Sequence, residues 1–408
     1  MHPAFMPISP LGGKPCLHPP ADPISQPMTS PADRQHMAAA LAVARRGLGN
    51  TWPNPAVGCV LVRNGAVVGR GWTQPGGRPH AEAEALARAG EAARGATAYV
   101  TLEPCSHWGR TPPCCDALVR AGVARVVVAT GDPDPRVDGR GLQRLREAGV
   151  IVELGLMGEE ARAVNAGFAR RITSGLPMVT LKLATTLDGR IATAAGESQW
   201  ITGPAARREA HALRARHDAM LVGSGTVLAD DPELTCRMPG MARVALARVV
   251  ADSRLRTPLA SRLVTTAREV PTWIATRTNQ RPGVLAPYIE AGVQILSVPR
   301  ARPGVARSGL DLGALLGALA QRGVTRVLAE GGAGLAAGLL RGGFVDRLAW
   351  FHAPGIMGGD GLAAVQPLPL ALLSAMPRFS RVASRPVGED WLTEFVREEN
   401  GAACLPGS

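Results

Sequence analysis

The chain has 408 residues, 46% of them hydrophobic and 19% charged, with a formal net charge of +12. That length and balance imply two or three domains with a sizeable core. No apolar run approaches the roughly 20 residues that span a bilayer, so no membrane association is expected. Only Lys14 and Lys182 are lysines among the 45 basic residues. The rest are arginines scattered along the chain, which reads as general surface charge rather than a nucleic-acid footprint. Seven cysteines in such a length make no disulfide scaffold, and a reducing cytoplasm fits.

Residues 1–34 are rich in proline and polar residues and lack the apolar stretch of a signal peptide. They are expected to be an extension, either disordered or preceding a true start at Met28, with a helix start plausible at Thr29-Ser30-Pro31. Residues 35–49 then predict a helix. Two β-rich runs, 56–62 and 66–72, flank Arg63-Asn64-Gly65, and Asn-Gly between such runs is a strong hairpin signal. Helices at 80–93, 114–121 and 141–148 alternate with strands at 98–102, 125–130 and 150–154. This alternation indicates an α/β layered sheet.

Gly175-Leu176-Pro177 marks a boundary, which divides the chain into domains at 35–175 and 176–398 with a tail at 399–408. The second series begins with strands at 178–184 and 190–193, then a helix from Pro204 with Thr202 as its N-cap. Further strands are expected at 219–222, 248–251, 272–275, 294–298, 326–329 and 348–351. Helices at 311–322 and 335–340 lie between them, and 300–308 reads as a loop.

The chemistry concentrates first in His80-Ala81-Glu82, Pro104-Cys105 and Cys114. One imidazole and two thiolates supply the three protein ligands of a catalytic zinc, leaving a position open for water. The carboxylate of Glu82, not itself a ligand, can shuttle the proton of that water. Both halves of this constellation fall at helix starts, where the dipole favours thiolate over thiol. A structural zinc would want a fourth ligand, for which His107 and Cys115 are the candidates. Glu82 argues against such a closed site, and His107 reads better as a substrate-loop residue and Cys115 as packing. The deaminase signature H-x-E then P-C-x-x-C has the same parts, but here the second thiol comes nine residues after the first. That spacing speaks against a tRNA or free-nucleobase deaminase, the reading that the positive charge would favour. A zinc-stabilised binding protein without catalysis is the remaining rival.

In the second half, Glu330-Gly331-Gly332-Ala333-Gly334 follows an apolar strand and opens a helix. Such a turn lets backbone N–H groups approach a phosphate. Residues 332–337 also satisfy the G-x-G-x-x-A pattern. They lie near the end of their domain, with no acidic residue at the expected distance, so a Rossmann reading is set aside. Lys182 stands out as the sole lysine beyond the N-terminal extension.

Residues 35–155 resemble the cytidine-deaminase-like superfamily. The long Cys105–Cys114 loop, Pro53-Asn54-Pro55 with the following Ala-Val-Gly-Cys, and Asp132-Pro133-Asp134-Pro135 resemble the deaminase half of the bifunctional riboflavin-biosynthesis deaminase–reductases. The segments 181–192, 196–203, 223–232 and 330–334 resemble the reductase half in the same order. The resemblance implies an N-terminal cytidine-deaminase-like α/β/α layered domain and a C-terminal dihydrofolate-reductase-like α/β domain. It implies Zn2+ held by His80, Cys105 and Cys114, with Glu82 catalytic and Asn54 hydrogen-bonding the substrate. It further implies an NADPH site at Ala184, Trp200, Thr226, Asp230 and the turn Gly332, Ala333, Gly334, Leu335, Ala336, Ala337 and Gly338. Ser198, Arg214, Leu234, Arg237 and Glu330 would bind a ribosyl-phosphate substrate. Lys182 and Asp230 are the candidates for assisting ring opening or proton delivery. The expected partner is a phosphorylated aminopyrimidine and no nucleic acid. A cytoplasmic homo-oligomer is expected.

Overall fold

Ser30 and Asp33 cap the first helix reciprocally: Asp33 N–H donates to Ser30 Oγ, and the Ser30 N–H returns to the Asp33 carboxylate. With Pro31 at the first helical position, α1 spans Pro31–Ala44, starting within the stretch expected to be an extension. The computed structural model describes residues 30–109, 112–238, 246–301 and 309–398. Residues 1–29, the expected tail at 399–408 and most of the 300–308 loop lie outside them.

The first half continues with β1 (Gly58–Arg63), β2 (Ala66–Trp72), α2 (Ala81–Ala89), β3 (Thr97–Val100), α3 (Cys114–Arg120), β4 (Arg125–Val128), α4 (Arg140–Glu147) and β5 (Ile151–Leu154). Asn64 and Gly65 both have positive φ, 51° and 77°, as a two-residue type I′ hairpin requires. The sheet order is β2-β1-β3-β4-β5, with β3, β4 and β5 parallel. Alternate strand residues serve opposite faces. Cys59, Leu61, Val126 and Val128 meet Ala81, Leu118 and Leu145 of α2, α3 and α4. Val60, Val62 and Val127 meet Met37 and Leu41 of α1. This is the expected α/β/α sandwich. Two short helices, α5 (Gly158–Val164) and α6 (Ala166–Ser174), follow and were not evident in the sequence.

The second half is built on a nine-stranded sheet. Its elements are β6 (Met178–Thr185), β7 (Arg190–Ala192), α7 (Pro204–Arg214), β8 (Ala219–Gly223), α8 (Ser224–Asp230), β9 (Ala247–Ala251), α9 (Arg262–Thr265), β10 (Thr272–Arg277), α10 (Pro282–Glu290), β11 (Gln294–Val298), α11 (Leu312–Gln321), β12 (Arg326–Glu330), α12 (Ala333–Arg341), β13 (Arg347–His352), β14 (Leu362–Ala363), β15 (Phe379–Val387) and β16 (Asp390–Arg397). The order is β11-β10-β9-β8-β12-β6-β13-β16-β15, parallel from β11 to β13 and antiparallel beyond. The N-cap of α7 is Gly203, not Thr202, and the Gly203 N–H donates to Asp390 Oδ2 at 2.7 Å. β12 lies between β6 and β8. The C-terminal ends of β6, β8, β9 and β12 therefore open on one edge of the sheet, where ligands of open parallel sheets bind. Among the described residues no helix is long and apolar enough to cross a membrane.

Candidate active sites

His80 is the N-cap of α2 and Cys114 the first residue of α3, so two helix starts converge. Cys105 comes from the segment after β3. His80 Nδ1 lies 3.3 Å from Cys114 Sγ and 3.7 Å from Cys105 Sγ, and the Cys114 N–H donates to Cys105 Sγ. All three ligand atoms lie within 4.8 Å of one another. Zinc bonds of about 2.0–2.3 Å in a tetrahedron imply nitrogen–sulfur separations of about 3.5 Å, and both nitrogen–sulfur distances here fit that value. Hydrogen bonding from Cys114 and His80 pulls the Cys105 thiol down to about 4. That same hydrogen bond, with burial, pushes Cys114 up.

Glu82 is 3% exposed and sits on the first turn of α2. Burial raises its carboxyl to about 6, against the pull of His80. A carboxylate so poised exchanges protons readily near neutrality. Asn54 reaches the same region, its Nδ2 donating to the Gly77 carbonyl at 3.1 Å, three residues before His80. His107 and Ser106 line a cavity of about 430 Å³ with Arg136, Arg140 and Arg144. His107 Nδ1 is buried there with no hydrogen-bond partner, and His107 is not among the residues whose ligand atoms converge. Cys115 is buried among the packing of α3, as expected.

One residue escaped the sequence reading. Glu103, 4% exposed, accepts the N–H groups of Gly139, Gly141 and Leu142. It anchors the start of α4 to the segment that carries Cys105.

The reductase-side cavity is about 1340 Å³. Single-ligand pockets run about 300–1,000 Å³, so this one has room for a dinucleotide and a second molecule together. Its wall includes Lys182, Ala184, Ser198, Trp200, Arg214, Thr226, Asp230, Leu234, Arg237 and Glu330. It also includes Gly332, Ala333, Gly334, Leu335, Ala336 and Gly338 of the glycine turn. Ala337 is the exception: it is fully buried on the core side of α12. Leu234 reaches the wall with its side chain in the core beneath. Gly331 and Gly332 have φ of +79° and +83°, and a Cβ on Gly331 would stand 3.2 Å from Thr226 Oγ1. Glycine is required there to bring the start of α12 against α8.

Charge in the cavity is unevenly paired. Arg214 forms a two-armed ion pair with Glu330, 2.9 and 2.8 Å, and donates to the Thr235 carbonyl. Although burial opposes it, Arg214 holds the Glu330 carboxyl down to about 2. Arg237 pairs with Glu233. Lys182 makes no hydrogen bond and no ion pair among the described residues. Burial lowers its pKa, opposed by Glu330. Arg256, at the end of the β9 side, donates to Ser224 Oγ at 2.8 Å and meets no carboxylate within ion-pair distance among the described residues.

Arg207, His211 and Arg256 also line the cavity and were missed. Arg207 stacks under the Trp200 ring at 4.4 Å, and Trp200 is 70% exposed. The spacing 207, 211, 214 places three basic side chains on one face of α7, a stripe that the sequence did contain.

Comparison with known proteins agrees with both halves. The family described as cytidine and deoxycytidylate deaminase zinc-binding region matches residues 30–130. The RibD C-terminal domain matches residues 177–393. The riboflavin biosynthesis protein RibD of Escherichia coli is 45% identical over 89% of this chain and 99% of its own length. Its Aquifex aeolicus counterpart is 41% identical over 90% and 98%.

The chain belongs to the RibD family.

Solved structures agree. The RibD of Acinetobacter baumannii has a TM-score of 0.79 at 37% identity, covering 90% of this chain and 99% of its own. A Thermotoga maritima protein described as a diaminohydroxyphosphoribosylaminopyrimidine deaminase/5-amino-6-(5-phosphoribosylamino)uracil reductase has a TM-score of 0.76 at 32% identity, over 89% and 98%. The chain is thus a bifunctional enzyme of riboflavin biosynthesis acting on a small molecule. A zinc-dependent deaminase half precedes an NADPH-dependent reductase half.

Proposed function

We propose that the two halves act in succession on one phosphorylated pyrimidine. The first hydrolyses the exocyclic amine of 2,5-diamino-6-ribosylamino-4(3H)-pyrimidinone 5′-phosphate, exchanging a C–NH2 for C=O and releasing ammonia. The second reduces the ribosyl group to ribityl, giving 5-amino-6-(5-phosphoribitylamino)uracil. The observation that carries this reading is the pairing of a buried non-ligand carboxylate, Glu82, with three converging ligand atoms. His80, Cys105 and Cys114 would hold zinc, which when bound acidifies water. Glu82 takes the proton of the attacking water and returns it to the departing amine, while Asn54 orients the ring.

In the second half Lys182 is the proton donor as hydride reaches the sugar carbon, because its ammonium lines the cavity beside Glu330 with no carboxylate within ion-pair distance among the described residues. Asp230, raised by burial, stands at the end of α8 and orients the sugar chain. Trp200, Thr226, Ala184 and the turn from Gly332 to Gly338 cradle NADPH, without a contact from Ala337. Ser198, Arg214, Leu234, Arg237 and Glu330 form the substrate wall, and arginine's planar fork suits its phosphate. Arg256, which lines the cavity beside Ser224 at the start of α8, is placed for a phosphate of the cofactor.

Five described cysteines are free, which supports a reducing cytoplasm. The exposed apolar run Leu370, Leu372, Leu373 and Met376 supports self-association. The scatter of the arginines along the chain supports a partner other than nucleic acid. Supplying the purified chain with the diaminopyrimidine phosphate should release ammonia without NADPH, and NADPH oxidation should follow its addition. No ammonia, or NADPH oxidation without prior deamination, would overturn the order proposed.

A further inference from the structure

The loop that carries Asn54 belongs to the deaminase half by sequence but rests on the reductase half in space. Trp52 packs against the main core of the nine-stranded sheet, a cluster that includes Leu315, Leu319, Val324 and Val327. Beside it, a Cβ on Gly323 would stand 2.7 Å from Pro53 Cβ. At the loop's other end a Cβ on Gly49 would come within 2.4 Å of the Ala215 carbonyl. Ala215 caps α7, whose His211 and Arg214 line the reductase cavity. Both approaches are close enough that only glycine fits.

The deaminase side grips the same loop through backbone groups. Asn165 brackets Ala56, accepting its N–H at 2.9 Å and donating to its carbonyl at 3.1 Å. Gly76 N–H donates to the Asn50 carbonyl, and the Asn54 carboxamide donates to Gly77. The loop is therefore held between the halves, with one aromatic ring on the reductase side and hydrogen bonds on the deaminase side.

We propose that Trp52 is a positioning residue for deamination: the reductase half, through Trp52, sets the loop that presents Asn54 to the pyrimidine. This rests on Asn54 being a substrate contact. Displacing such a group by an ångström costs about tenfold to a hundredfold. Trp52 is not a ligand of the metal and does not line the reductase cavity, so its effect should be selective.

The test is steady-state kinetics on the full chain. Trp52→Ala should raise the KM for the diaminopyrimidine phosphate about tenfold or more with kcat within about twofold. Zinc content and NADPH oxidation on the deaminated substrate should stay unchanged, and Trp52→Phe should recover most of the loss. An unchanged deaminase KM overturns the proposal. So does parallel loss of zinc and both activities, which would make Trp52 merely structural. Pro53→Gly, which loosens the same contact without removing the ring, guards against an unfolded Trp52→Ala and should raise KM in the same direction. Asn54→Ala tests the underlying reading separately. An unchanged KM there removes Asn54 as a contact and with it the premise, whereas a raised KM there beside an unchanged KM in Trp52→Ala overturns the positioning role alone.

Discussion

The two halves of this chain build their sites in opposite ways. The deaminase site is compact: four side chains drawn from two helix starts and one loop, with ligand atoms within 4.8 Å. The reductase site is a cavity of about 1340 Å³ walled by the ends of four strands and the turns that follow them. A compact site in which each group has its own task fails when one is removed. A wide wall of many contacts degrades by degrees. Ionisation follows the same contrast. Around the zinc ligands burial and hydrogen bonding shift nearly every group, whereas in the cavity Arg214–Glu330 and Arg237–Glu233 are balanced pairs and Lys182 has no such partner among the described residues.

The largest effect expected is at Glu82. Glu82→Ala should lower ammonia release by about 10²–10⁴-fold or more, with zinc content and NADPH oxidation on the deaminated substrate retained. Persistent ammonia release would break the contrast at its sharpest point. Lys182→Met should lower reductase kcat by about a hundredfold and leave ammonia release alone. A change confined to the KM for substrate would instead make Lys182 one wall contact among many.

Arg214→Gln should act on stability as well as binding, because it strands the buried Glu330 carboxylate. Breaking a buried pair costs about 3–5 kcal/mol, visible as a lower Tm of the reductase half. Glu330 is held down to about 2 in the fold. Its contribution is therefore present above the unfolded carboxylate range near pH 4.3 and lost as pH falls towards 2. The parent protein should show that acid loss, and Arg214→Gln should lack it. Smallest is Arg237→Ala: its ion pair with Glu233 is half exposed and worth under about 1 kcal/mol. Substrate KM should rise several-fold at unchanged Tm, and an unchanged KM would remove Arg237 from the wall.

Much of the fold was legible because its signals are local. Asn64-Gly65 gave the hairpin, and apolar runs gave the parallel strands from β6 to β13. The missed elements have weak local signals. β15 is an edge strand, exposed along most of its length and interrupted by arginine and serine, so no apolar alternation announced it. α10 contains Pro287, and α5 and α6 are short and polar. In the reductase site the glycine turn and Lys182 could be singled out, but the pairing of Arg214 with Glu330 joins residues 116 positions apart. Nothing in either neighbourhood signals that pairing.

By itself the sequence determined the chemistry of the deaminase half and the kind of sheet in each domain. Ligand spacing, helix starts and hydrophobic periodicity are short-range properties of a chain. Only the tertiary structure decided which charges in the cavity are neutralised, that Ala337 faces the core, and that Trp52 ties the Asn54 loop to the other half. Those outcomes depend on which strand ends lie side by side. Strand order is set by burying two faces of a sheet at once, across separations that no local pattern records.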